Sequence, residues 1–258
     1  MENKILYKKK YNISFSDVDF SRRLKLSALF EYFQDIASLA ADSLGVGIEL
    51  LEKKYGVAWV LMRIYVEIIR TPAWEEEITI ETWPQPPERL EFQRDFIVRD
   101  SNGNIIIKAI STWIILDTNS RKIKRADFIA EDYPAIVHES GKSERAMDCG
   151  LPKLKAPEQP EVAYRKTVGY SDIDSNEHLN NSRYVDFIMD CFDLASHKKY
   201  EVKSIDVNYI NEALPGDTII LLKDVSKAES GLVHIEGIKE NDGKVVFRSQ
   251  VGIREKQL

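Results

Sequence analysis

The chain has 258 residues, 43% of them hydrophobic, enough to bury one large core or two of ordinary domain size. A net charge of −6 and a pI of about 5.4 lack the basic balance of a general nucleic-acid binder. Only two cysteines occur, Cys149 and Cys191, which excludes a disulfide framework or a cysteine-rich zinc site and fits a reduced cytoplasm.

From the amino terminus, a short strand leads into Phe15-Ser16-Asp17-Val18-Asp19. Leu26, Leu29, Phe30, Phe33, Ala37, Ala40 and Leu44 then recur at the three-and-four spacing of one helical face, with Gly45 as the stop. Residues 57–69 and 77–83 are rich in β-branched and aromatic side chains and predict strands. Two further strands flank Asn102-Gly103, a dipeptide that supplies the positive φ of a two-residue hairpin.

Over residues 138–160 the composition changes. Gly141, Gly150, Pro152, Pro157 and Pro160 stand among mixed charges with no apolar period, the pattern of a linker. The order of elements then restarts at Tyr170-Ser171-Asp172-Ile173-Asp174. A helix follows, marked by Tyr184, Phe187, Ile188, Cys191 and Ala195, with Asn180 or Asn181 as its cap. Strands over 204–210 and 218–225 come next, and a last pair flanks Asp242-Gly243. No apolar run approaches the roughly 20 residues of a membrane span, and the first ten residues lack the apolar core of a signal peptide.

The restart is an internal repeat, since Asp172 and Ser182 each lie 155 residues after Asp17 and Ser27. Within that frame the first copy has Ser21 and Arg23 where the second has Asn176 and His178. Two units of one helix wrapped by a curled antiparallel sheet make an α+β, tandem (double) hotdog fold. The expected boundaries are an N-terminal hotdog over 1–137 without the Asn and His, the linker over 138–160, and a C-terminal hotdog over 161–258 that has them.

Asp174, Asn176 and His178 are spaced by two ahead of the second helix. In an extended segment they would project to one side, beside backbone N–H groups that favour developing negative charge; the alternative is that Asp174 makes an Asx-turn and His178 is structural. A tetrahedral thioester intermediate needs such an environment. Glu212 ends an apolar strand before Pro215-Gly216. It falls 141 residues after Thr71, so the fold of the first copy manages without a carboxylate there. The histidines, His138, His178, His197 and His234, show no metal-ligand spacing, and neither a metal nor a cofactor is expected.

The run Asp172-Ile173-Asp174-Ser175-Asn176-Glu177-His178-Leu179-Asn180-Asn181-Ser182-Arg183-Tyr184 closely resembles the signature of acyl-ACP thioesterases, and the likeness extends to the Trp113 strand and the segment around Glu212. The resemblance implies hydrolysis of fatty acyl-acyl carrier protein by Asp174, Asn176, His178 and Glu212, with either Asp174 or Glu212 activating the water. Plant members place cysteine after the glutamate; here Ala213 stands there, which excludes a thiol mechanism at that position. The implied partner is the acidic acyl carrier protein, with no nucleic acid and no membrane, and the chain is expected to be a monomeric pseudo-dimer or a homodimer. Arg22, Arg23 and Lys25, or Arg121, Lys122, Lys124 and Arg125, are candidate docking clusters. The rival readings are a hotdog acyl-CoA thioesterase and a non-catalytic acyl-ligand-binding protein.

Overall fold

The computed structural model describes residues 5–133, 137 and 144–256. The chain divides into two compact units, residues 1–64 with 69–151 and residues 65–68 with 152–258.

In the first unit β1 (Tyr7–Asn12) leads through a 3-10 turn at Phe15–Asp17 to α1 (Leu26–Ser43) and α2 (Ile48–Tyr55). Then come β2 (Val57–Ile68, of which 65–68 are grouped with the second unit), β3 (Glu77–Pro84), β4 (Phe92–Arg99), β5 (Ile105–Asp117) and the short β6 (Ile123–Lys124). The strand order is β1-β3-β4-β5-β2, with β6 on β5. The apolar stripe read from the sequence is the buried face of α1: Leu29, Phe30, Phe33, Ala37 and Ala40 are all buried, and Phe33 lies 4.7 Å from Phe96 of β4 between ring centroids. Each fully buried side chain of Leu or Phe size contributes about 1.5–3 kcal/mol, which is what holds the sheet around the helix. Leu44 caps the helix, and Gly45 follows at φ +77°.

The second unit runs through β7 (Glu161–Thr167), a 3-10 turn at Tyr170–Asp172, α3 (Asn181–Met189), α4 (Leu194–Lys199), β8 (Tyr200–Tyr209), β9 (Thr218–Asp224), β10 (Leu232–Lys239) and β11 (Val245–Glu255). Its order, β7-β9-β10-β11-β8, repeats that of the first unit strand for strand. The Asn180 side chain caps α3 by accepting from Ser182 N–H. Tyr184, Val185, Phe187 and Ile188 form the buried face of that helix. Tyr184 packs edge-on to Tyr209 and Phe247, and the Tyr164 hydroxyl donates to Phe187 O at 2.8 Å.

Two local expectations fail for identifiable reasons. The second helix stops at Met189, and Asp193 starts a new one by accepting from Ser196 N–H, so Cys191 stays buried while Ala195 is exposed on α4. An Asp side chain offers the backbone a competing acceptor, which restarts a helix more readily than it continues one. The hairpin loops are longer than two residues, and only their glycines have positive φ, Gly103 at +84° and Gly243 at +69°. Asp100 folds the first loop by accepting from the N–H groups of Asn102 and Asn104, and Asp242 folds the second by accepting from Lys244 N–H.

Of the stretch 138–160, residues 138–143, His138 included, lie outside the described residues. The remainder is fastened down. In the first unit Trp83 Nε1 donates to Glu144 O, and Arg145 Nε lies 2.9 Å from the fully buried Asp95 carboxylate. In the second, Leu154 N–H donates to Asn208 Oδ1, while Glu158 and Gln159 N–H both donate to Asp224 Oδ2.

Candidate functional site

Residues 174–178 form a tight loop rather than an extended run. Ile173 and Leu179 bridge across its base, Asp174 N–H donates to His178 O at 2.9 Å, and Glu177 sits at φ +61°. The Asp174 carboxylate closes the loop from within: Oδ1 accepts from Asn176 N–H at 2.8 Å and from His178 N–H at 3.4 Å. That is an Asx-turn, in which a short side-chain acceptor replaces a ladder partner. The Asp174 carboxylate therefore meets the backbone of Asn176 and His178, and the Asn176 side chain is exposed.

Glu212 arrives from the end of β8. Beyond Tyr209 the N–H groups of Ile210 and Asn211 both donate to Val246 O, at 2.8 and 3.1 Å, which carries the strand out of register and past the sheet rim. Leu179 N–H then donates to Ala213 O at 2.9 Å and stitches this rim to the loop. As a result His178 Nε2 lies 3.7 Å from Glu212 Oε2, with both side chains partly exposed. The separation is that of an ion pair or a water-bridged pair and is longer than a direct hydrogen bond. His178 and Glu212 come from different segments and only the family resemblance groups them; the stitch that brings them together is a backbone bond, to which side-chain patterns are blind.

The first unit builds the same frame without the same chemistry. Asp19 Oδ1 accepts from Ser21 N–H and Arg23 N–H, Asp19 N–H donates to Arg23 O, Arg22 takes φ +58°, and Leu24 N–H donates to Pro72 O. Arg23, at the place of His178, extends its guanidinium to Thr71 O at 3.3 Å, and Thr71 stands at the place of Glu212. The loop and its stitch belong to the fold; the imidazole and carboxylate are additions.

Cys191 is buried with its thiol directed at Phe187 O, and burial pushes the thiol up to about 12. It is core, not nucleophile. Ala213, next to Glu212, is fully buried. Among the described residues no group of three or more His, Cys, Asp or Glu side chains is placed to hold a metal ion, and no helix is long and apolar enough to cross a membrane.

Two units of shared topology, each a curled antiparallel sheet around one helix, define a tandem hotdog protein of the α+β class. A crystal structure of an acyl-ACP thioesterase from Bacteroides thetaiotaomicron matches it with a TM-score of 0.86 at 27% identity, covering 98% of this chain and 99% of that one. The 12:0-ACP thioesterase from Umbellularia californica shares the fold, with a TM-score of 0.84 at 22% identity over 98% of each chain. The model of the acyl-ACP thioesterase N-terminal domain matches residues 4–136 and that of the C-terminal domain residues 155–253, so the chain belongs to the acyl-ACP thioesterase family. Among curated relatives, the oleoyl-acyl carrier protein thioesterase 2, chloroplastic, of Arabidopsis thaliana is 26% identical over 235 residues, 85% of this chain. The chain spans 63% of that relative's length.

Proposed function

We propose that the protein hydrolyses the thioester of fatty acyl-acyl carrier protein and releases the free fatty acid. The observation that carries this reading is the approach of His178 and Glu212 to 3.7 Å beside the start of α3. Glu212, in contact with His178, deprotonates a water. That water attacks the thioester carbonyl, and the oxyanion is held by Asn176, with the positive end of α3 nearby. Collapse of the intermediate expels the thiolate of the carrier's arm, and the proton that Glu212 took from the water passes through His178 to that thiolate. Asp174 holds the loop in which Asn176 and His178 stand. The first unit supplies the acyl-chain pocket, its depth set by side chains of α1 and β2. Family membership supports acyl carrier protein as the partner. A cytoplasmic setting is part of the same reading, supported by the sparse cysteine content.

The test is steady-state turnover on acyl carrier proteins bearing acyl groups of graded length, with the same acyl groups on CoA as comparison. Glu212→Gln and His178→Ala are each expected to lower kcat about 10²- to 10⁴-fold. Turnover within about threefold of wild type in both variants overturns the assignment, and a kcat/KM on CoA equal to that on the carrier protein removes the carrier from the proposal.

A further inference from the structure

The 3.7 Å separation of His178 and Glu212 is set by whatever joins the loop and the strand rim that carry them. Hydrogen bonds do so, that of the Tyr184 hydroxyl with the Ala213 backbone among them, and two more join the segments on either side of Glu212. One is the backbone bond from Leu179 N–H to Ala213 O. The other is made by a side chain: the Tyr209 hydroxyl donates to Asn181 O, in the first turn of α3, at 3.0 Å. The two bonds bracket Glu212, since 209 and 213 lie either side of it, while 179 and 181 follow His178 by one and three residues. Tyr209 is buried, its ring held edge-on by Tyr184 at 5.4 Å between centroids, so the hydroxyl has little freedom to turn elsewhere.

The repeat separates what the fold needs from what the site needs. The backbone bond has its counterpart in the first unit, Leu24 N–H to Pro72 O. The side-chain bond has none, because Ile68, buried and apolar, occupies the place of Tyr209, and Leu26 that of Asn181. Where the His and Glu pair is absent, an aliphatic side chain stands at this position of the repeat; where the pair is present, a tyrosine does. Resting on the reading of Glu212 and His178 given above, we infer that Tyr209 is a positioning residue, whose bond to the first turn of α3 holds Glu212 at its working distance from His178. Burial holds the phenol well above its ordinary range, which keeps it a donor across the working pH.

Tyr209→Phe removes the hydroxyl and leaves the ring. Its control is Tyr164→Phe, because Tyr164 makes the same kind of bond to the same helix at Phe187 O, away from the pair. Kinetics on acyl-acyl carrier protein are expected to show kcat reduced about 10- to 100-fold in Tyr209→Phe with KM within about twofold of wild type, the signature of a misplaced catalytic group. Tyr164→Phe is expected to keep kcat within about twofold while lowering Tm about as much as Tyr209→Phe does. Adding Tyr209→Phe to Glu212→Gln is expected to cause no further loss, since the two act through one group. A crippled Glu212→Gln beside an unimpaired Tyr209→Phe overturns this inference alone, as does an equal loss of kcat in Tyr164→Phe. An unimpaired Glu212→Gln overturns the reading of the site itself.

Discussion

Asp19 and Asp174 hold corresponding places in the two copies and do the same local work. Each carboxylate accepts from backbone N–H groups two and four residues further on, and each loop closes with a residue in the left-handed region three positions later, Arg22 or Glu177. A side chain to backbone hydrogen bond of this kind contributes about 0.5–1.5 kcal/mol. Truncating either carboxylate is therefore expected to cost a similar amount of stability. The consequences for turnover differ, because only the second loop presents an imidazole. Asp19→Ala is expected to lower Tm with kcat unchanged, whereas Asp174→Ala lowers Tm and reduces kcat at least tenfold. Thermal melts and initial rates on the same two preparations check this, and a loss of kcat in Asp19→Ala would show the first loop to be more than scaffold.

At the scale of elements, β10 and β11 show how packing behind the site is transmitted to it. Gly237 faces Phe247 across the ladder, and a Cβ at 237 would come within 2.2 Å of the Phe247 ring, which is completely buried. That ring in turn packs edge-on to Tyr184, and Tyr184 to Tyr209. Gly237→Ala is expected to cost about 1–3 kcal/mol, read as a lower urea midpoint, because a filled core accepts extra volume only by shifting neighbours. Glycine at 237 was not legible as a packing requirement; a lone glycine in a strand says only that something approaches closely. What the residue pattern did disclose is the repeat, and with it the helix over 26–44, the strands that follow it, and the pairing of Asn176 and His178 with Ser21 and Arg23. Patterns fail where a short polar side chain competes with the regular ladder. Asp193 cuts one predicted helix, Asp100 and Asp242 lengthen two predicted turns, and at Asp174 the Asx-turn, the alternative to an extended segment, is what forms. Each is a local hydrogen bond of an Asp, invisible to hydrophobic periodicity.

For the whole molecule, net charge and proton linkage predict different pH optima of stability. A chain of pI about 5.4 is least self-repelled near that pH. Linkage points higher. His234 lies in the groove under residues 153–158, and burial, then the nearby Lys227 ammonium, holds its pKa down, with Asp224 and Glu158 opposing. A histidine whose folded pKa is depressed binds its proton more readily when unfolded. Its full contribution is present above the unfolded value of about 6.5 and declines as pH falls below it. Glu76, bound by Arg70, and Glu158, bound by Lys227, are held below the usual carboxylate range, as is Asp224 by the N–H groups of Gln159, Ser226 and Glu158. Their stabilisation is complete above the unfolded carboxylate values and is lost as pH falls through the folded ones, in the region below about pH 4. Asp95 runs the other way, its buried carboxyl raised by desolvation against the pull of Arg145, so that acid relieves a cost there. The urea midpoint is thus expected to be higher at pH 7 than at pH 5.4, with a shallow decline beginning near 6.5 and a steep one below 4. His234→Gln is expected to flatten the shallow decline and leave the steep one in place. A midpoint that peaks at pH 5.4 in the wild-type protein would mean that self-repulsion among its 42 acidic and 36 basic side chains outweighs the proton linkage of these few.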